Sequence, residues 1–325
     1  MEHKLRKIVL MEPSVASLNL GDQVIVESIK RELNYLLQDA FVVEQSTQSP
    51  LMHTYQIFNE RFRAPKDADY KFVCGSNLFW DNMLHPYPQW NINHLTCTNS
   101  RNSIMVGVGS CSTYPKLNLY TRSLYNRVLS HDYYHSVRDE ATKVRLESLG
   151  FKAVNTGCPT TWMLTPEHCR NIPRDKADKV VFTVNEFHKI PDTDRALVAL
   201  LGRNYEEVYF WPQGYTDMEY INSLELDVPI KVLRPSLDDM RNTLRENKMD
   251  YVGTRLHGGI FAMQNFTRSI ILMVDNRARD MRESFSIPTV ERDNMGQLEE
   301  MIRSEWNTSI NVNQDGIRFW KEQFK

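Results

Sequence analysis

Two hydrophobic patterns alternate along the chain. Short apolar runs read as buried strands, and segments with apolar residues at three- and four-residue spacing read as amphipathic helices. The first run, Ile8, Val9, Leu10 and Met11, lies in a strand predicted over 7–11. A helix over 23–37 follows, with Val24, Ile25, Ile29, Leu33, Leu36 and Leu37 close to helical spacing, and then a strand over 41–44. Strands are also predicted over 69–75, 103–108, 133–137 and 151–156, with helices over 119–129 and 139–149, the last stopped by Gly150. Residues 78–99 have no clear period and read as an ordered loop carrying Trp80, His85, Trp90 and His94. After a polar stretch with Pro159, Pro166 and Pro173 the pattern restarts. Strands fall over 179–184, 207–211 and 230–233, and helices over 194–201, 217–224 and 237–247. A βαβ unit over 250–281 comes next, then a helix over 295–305 and an aromatic segment over 317–324. This alternation predicts an α/β chain of two domains facing a cleft, 1–165 and 166–325, with the tail 310–325 a candidate to cross back.

The βαβ unit concentrates the chemistry. Its first strand ends at Gly253 and turns through Thr254, Arg255, Leu256, His257, Gly258 and Gly259 into an apolar helix. Its second strand ends in a basic loop with Arg277, Arg279 and Arg282. Open α/β sheets bind ligands at the carboxyl ends of their strands, and helix N-termini suit anions, so a phosphate or carboxylate site is expected here. Four other strand ends are candidates. Gly21 and Asp22 open the first helix, where Asp22 serves either as base or as N-cap. Gly75, Gly109 and Ser110 allow close backbone approach or are ordinary turn residues. Arg138 grips an anion or pairs with Asp139 or Glu140. Trp80, His85, Trp90 and His94 form either a sugar-stacking wall or, residue by residue, the core of an irregular loop.

Composition narrows the class. The 325 residues are 41% hydrophobic and 25% charged, ordinary for globular proteins. A net charge of -2 gives no reason to expect a nucleic-acid partner. The five cysteines are scattered without a CxxC pair, which argues against a zinc site or disulfide framework and for reduced thiols. The run before Pro13 is too short for a signal peptide, and no apolar run approaches the roughly 18 residues of a membrane span. The expectation is a cytoplasmic protein, at most peripheral to a membrane.

Taken in order, these pieces resemble the polysaccharide pyruvyl transferase family. Asn19, Leu20, Gly21 and Asp22 match its N-x-G-D loop, and Val106 to Gly109 its glycine strand end. The segment from Ser136 to Gly150 is similar to its S-x-R-D…S…L…G stretch, and Thr254 to Gly258 to its S-R-L-H-x motif. Departures are Ser76 and Asn77 where a G-G-G is usual, Cys158 where an aspartate precedes the proline, and Arg277 where a lysine is usual. The resemblance implies a GT-B-like pair of Rossmann-like domains, the first on the acceptor side and the second on the donor side. It implies transfer of a pyruvyl group from phosphoenolpyruvate to a sugar of a capsular or exopolysaccharide repeat unit as a ketal, with release of phosphate. By it, Arg138, Arg255, Gly258 and Arg277 would bind phosphoenolpyruvate, with His257 as acid and Asp22 as base. Asn19, Gly21, Gly75, Gly109 and Ser110 would serve the acceptor or backbone approach. No cofactor and no metal is expected, and the acceptor is expected to be a lipid-linked oligosaccharide at the inner membrane face. Two alternatives stay open: a GT-B-like glycosyltransferase using a nucleotide sugar, and a sugar-binding relative without catalysis.

Overall fold

The computed structural model describes residues 5–49, 64–111, 117–274 and 285–325. The chain forms two compact units. The first holds Met1–Ser17, Ile25–Trp162 and Asn313–Lys325; the second holds Leu18–Val24 and Met163–Val312.

The first unit begins with β1 (Arg6–Glu12), α1 (Leu20–Glu32, its first residues grouped with the second unit), α2 (Asn34–Leu37) and β2 (Ala40–Ser46). It continues through β3 (Tyr70–Cys74), β4 (Phe79–Trp80), β5 (Ile104–Val106), β6 (Ser110–Cys111), α3 (Leu119–Val128), β7 (His135–Val137), α4 (Glu140–Ser148) and β8 (Ala153–Asn155). Four strands make a parallel sheet in the order β2-β1-β3-β5. β1 is interior, so its apolar run is buried on both faces, as parallel strands require. β7 and β8 form a separate parallel pair, and Val108 bridges to Val137 beside it. Asp139 caps α4 by accepting the Thr142 N–H at 2.7 Å, and Gly150 ends it with φ +90°.

The second unit contains α5 (Pro166–Arg170), β9 (Lys179–Thr183), α6 (Pro191–Asn204), β10 (Glu207–Phe210), α7 (Asp217–Ser223), β11 (Ile230–Val232) and α8 (Leu237–Glu246). β12 (Met249–Gly253), α9 (Leu256–Gln264), β13 (Ser269–Met273), β14 (Thr289–Glu291) and α10 (Met295–Arg303) complete it. Its six strands are all parallel, in the order β11-β10-β9-β12-β13-β14. Numbered within the unit this is 3-2-1-4-5-6, the doubly wound order whose direction reverses between its first and fourth strands. The reversal therefore lies between β9 and β12, where Thr183 pairs with Gly253. Two buried ion pairs tie the helices to this sheet. Arg268 binds Asp250 at 2.7 Å and reaches the carbonyls of Met301, Ile302 and Ser304 at the end of α10. Arg292 chelates Asp194 at 2.7 Å to both carboxylate oxygens. Burial raises the Asp250 carboxyl above the ordinary carboxylate range, against the lowering by Arg268.

The last helix, α11 (Gln314–Glu322), belongs to the first unit. Trp320 and Phe324 pack edge-on against Phe72, and the Trp320 indole donates to the Tyr134 carbonyl at 2.8 Å. Lys321 pairs with Glu32 at 2.6 Å.

Several elements differ from the sequence expectation. The helix predicted over 23–37 starts at Leu20 because Asn19, not Asp22, caps it, and it breaks at Leu33 before α2. The helix predicted over 194–201 runs from Pro191 to Asn204, with Pro191 in its favoured first-turn place. The loop over 78–99 is pinned by core packing of Met83, Trp90 and Ile92, which rules out Trp90 as an exposed stacking face. Residues 18–24 group with the second unit and not the first, because the Leu20 N–H donates to the Gln213 carbonyl and the Tyr215 N–H to the Leu18 carbonyl. Among the described residues no helix is long and apolar enough to cross a membrane.

Candidate functional site

In the second unit the candidate residues gather at the sheet reversal. β12 must pass close to β9, since a β-carbon at Gly253 would stand 2.3 Å from Thr183 Oγ1. The chain then turns at Arg255, which has no side-chain capping bond, into α9. The first-turn N–H groups of a helix have no carbonyl one turn back, so this end carries a partial positive charge. Gly258 and Gly259 lie in that first turn, and a β-carbon at Gly258 would meet Gln213 Nε2 at 2.3 Å and the Tyr251 hydroxyl at 2.7 Å. The Tyr251 phenol donates to the Arg255 carbonyl at 2.8 Å and shares a 2.6 Å bond with Thr183. Burial pushes its pKa well up, which keeps it neutral.

His257 is half-buried on this turn, and the loop from the start of the chain comes to it. Asn19 forms an antiparallel bridge with Gly214, and its carboxamide accepts the Gly21 N–H at 3.1 Å. A β-carbon on Gly21 would lie 3.5 Å from His257 Nδ1 and 3.2 Å from Asn19 Nδ2. A side chain at position 21 would therefore meet the imidazole at ordinary contact distance, which places this residue beside His257. Asp22, in the first turn of α1, follows directly. Asn19, Gly21, Asp22, Arg255, His257 and Gly258 are therefore assembled in one unit, although more than 230 residues separate the two motifs.

Arg255 is held, not open. It is buried, and its Nη2 donates to Asp217 Oδ1 at 2.5 Å, while Nε has no partner among the described residues. Asp217 also accepts the N–H groups of Gln213 at 3.1 Å and Gly214 at 2.7 Å. Gln213 Nε2 and Thr254 Oγ1, both buried, likewise lack a partner among the described residues. Gln213, Gly214 and Asp217 were not singled out from the sequence. The signal was there: Pro212, Gln213 and Gly214 follow directly on the carboxyl end of β10, one more strand end of the same kind.

The first unit has its own cluster. The Arg138 guanidinium lies over Gly109 and donates to Asn77 Oδ1 at 2.5 Å, with Asp139 at 3.5 Å. Ser110 donates its N–H to Thr142 Oγ1 at 2.9 Å and receives a bond from Arg145 at 3.2 Å; Arg145 also pairs with Asp81. Gly75 has φ +63°, and a β-carbon there would stand 2.3 Å from Ile25, so this glycine serves helix packing as well as the turn. Arg138 thus combines the ion pair with a partly exposed guanidinium. The Trp80 and His85 rings lie 5.1 Å apart and tilted, and His94 sits edge-on to Tyr120 at 4.9 Å. Arg277, Arg279 and Arg282 lie outside the described residues. Among the described residues no group of three His, Cys, Asp or Glu side chains could hold a metal ion.

Comparison with known proteins bears on the fold and the family. Two structures of the UDP-GlcNAc 2-epimerase of Methanocaldococcus jannaschii share the fold. The one in complex with UDP-GlcNAc and UDP is 13% identical, with TM-score 0.52 over 99% of each chain. The other is 14% identical, with TM-score 0.53 over 98% of this chain and 99% of that one. These likenesses show two Rossmann-like units of the GT-B class. No curated protein matches the chain. The model of the family described as polysaccharide pyruvyl transferase matches residues 19–276, from Asn19 through the β12 turn to the end of β13 and beyond. A match over so much of the chain decides the family: this protein belongs to the polysaccharide pyruvyl transferases.

Proposed function

We propose that the chain transfers the pyruvyl group of phosphoenolpyruvate to a sugar of a capsular or exopolysaccharide repeat unit, closing a ketal and releasing phosphate. The observation that supports this reading is the meeting of the Asn19–Asp22 loop with His257, two stretches far apart in sequence that both lie within the family match. Phosphoenolpyruvate brings a phosphate and a carboxylate. The uncapped first turn of α9 at Gly258 offers N–H groups to one of them, with Arg277 proposed as a cation from the following strand end. His257 protonates C3 of the enol, and C2 becomes electrophilic. One sugar hydroxyl adds to C2 and gives its proton to Asp22. A second hydroxyl then attacks C2, the C–O bond to phosphate breaks, and phosphate leaves with the remaining proton. The net change is phosphoenolpyruvate plus a diol giving a ketal plus phosphate. In the first unit, Arg138 with Gly109 and Ser110 is a second place for an anionic substrate group. A lipid-linked oligosaccharide presented at the inner membrane face is the proposed acceptor.

The test is a thermal-shift titration followed by product analysis with phosphoenolpyruvate labelled at C2. A ligand at a hundred times its Kd stabilises by about 2.7 kcal/mol, a readily measured rise in Tm. The expected result is a shift with phosphoenolpyruvate, and a ketal carbon with equimolar phosphate once a sugar acceptor is added. The 3-2-1-4-5-6 order in the second unit also suits a nucleotide, which favours a glycosyltransferase as the second reading. A shift with uridine or guanosine diphosphate and none with phosphoenolpyruvate would replace the first reading with the second. No shift with any of them would leave a sugar-binding protein.

A further inference from the structure

We infer that Asp217 is a positioning residue of the His257 site and that Arg255 acts through it, not as a ligand of the substrate's anionic groups. An arginine in a transferase turn is readily taken for an anion grip. Here its charge is already answered. Asp217 is fully buried, Arg255 is nearly so, and their 2.5 Å contact lies away from solvent. A guanidinium that left this carboxylate for a substrate would strand a buried negative charge, which is strongly unfavourable.

What the pair does is hold three chain segments together. Asp217 Oδ2 accepts the N–H groups of Gln213 and Gly214, and Oδ1 takes Arg255 from the β12 turn. Gly214 is bridged to Asn19, and the Gln213 carbonyl accepts the Leu20 N–H. Gly21, two residues on from Asn19, stands beside His257, with an added β-carbon 3.5 Å from its Nδ1. The line from Asp217 to the imidazole therefore runs through Gly214 and Asn19 on one side and through Arg255 on the other. Gly214 has no room for a side chain, since its β-carbon would stand 2.4 Å from Arg255 Nη2 and 2.9 Å from Asp217 Oδ1. The brace fixes where His257 and Asp22 stand, and the substrate never needs to touch it.

The kinetic part of the test rests on the proposed reaction; the spectroscopic part does not. Asp217→Asn keeps acceptor oxygen for the backbone N–H groups and removes the charge, and Arg255→Lys keeps the charge and loses the fork. Each is checked for native folding by circular dichroism, and Asp217→Glu replaces the first if it fails. The expected result is a fall of about tenfold or more in kcat in each variant, with KM for phosphoenolpyruvate within about twofold, and a double variant no worse than either single. The 15N imidazole signals of His257, assigned by their loss in His257→Gln, move in both variants. They stay in place in Asp192→Asn, a control whose side chain is 98% exposed. If Arg255→Lys raised KM about tenfold while Asp217→Asn left kcat, KM and the imidazole signals unchanged, the arginine would be a direct ligand and the inference overturned. A wild-type chain that transfers no pyruvyl group would defeat the proposed reaction alone, and the imidazole signals would still decide the brace.

Discussion

The Arg138 guanidinium occupies the space a side chain at Gly109 would need: a β-carbon on the glycine would stand 2.4 Å from the guanidinium carbon and 2.5 Å from Nε. The glycine is thus the floor on which the arginine lies while Asn77 holds its far end. Gly109→Ala is expected to push Arg138 off Asn77 at a cost of about 1–3 kcal/mol, as for other overpacked sites. Denaturant unfolding measures the loss. Asn77→Ala in the same background separates the two contacts, since the double variant should lose less than the sum of the singles.

His257 tests the acid assignment. His257→Gln keeps a polar side chain of similar size but cannot deliver a proton. Turnover should fall by about a hundredfold to ten-thousandfold, the usual worth of a general acid, while the melting shift with phosphoenolpyruvate persists. Loss of the melting shift together with turnover would make His257 a binding group instead.

Acid sensitivity should come from a different histidine. His135 is fully buried in the first unit, its Nδ1 accepts the Met105 N–H at 3.1 Å, and its other nitrogen bonds the Ser130 carbonyl at 2.9 Å. Burial lowers its pKa from the ordinary 6.5 to about 4. The unfolded chain therefore takes up the proton first. Its stabilising effect is complete above pH 6.5 and is lost as pH falls from there towards 4, about 3 kcal/mol over the window. Unfolding free energies measured at steps of pH should flatten over that window in His135→Gln; an unchanged slope would assign the loss to other groups.

The Arg268–Asp250 pair predicts an asymmetry in the second unit. Among the described residues, Arg268→Ala leaves the buried Asp250 with the Tyr205 hydroxyl, at 2.8 Å, and the more distant Ala177 N–H, at 3.4 Å, to satisfy it. The expected loss is about 3–5 kcal/mol. Adding Asp250→Asn removes the stranded charge and should recover part of it. Chemical denaturation of the two variants decides, and a double variant less stable than the single would refute the stranded-charge account.

The strands were readable in the sequence because parallel strands buried on both faces leave continuous apolar runs, as Ile8 to Met11 and Ile270 to Met273 do. Asp139 and Gly150 marked their helix ends because capping is local chemistry. The His257 turn was legible for the same reason, as an arginine, a histidine and two glycines stand together at a strand end. What could not be read was the partner of Arg255. Asp217 lies 38 positions away and looks like any acidic residue opening a helix; only the fold brings it to the guanidinium. Trp90 shows the reverse case. Its polar, proline-rich surroundings suggest a surface, yet the ring is 1% exposed, because a loop without regular structure can still be fixed by one large buried side chain.

The membership of α11 in the first unit sets an order on synthesis. Phe72 and Trp162 leave the ribosome well before Trp320 and Phe324, the rings that cover them. The second unit takes its sheet from residues translated in between, so it can close while the first still lacks a wall. Vectorial folding would then run out of its usual sequence, with the earlier-made sheet waiting on the later one and its apolar face open to chaperones in the interval.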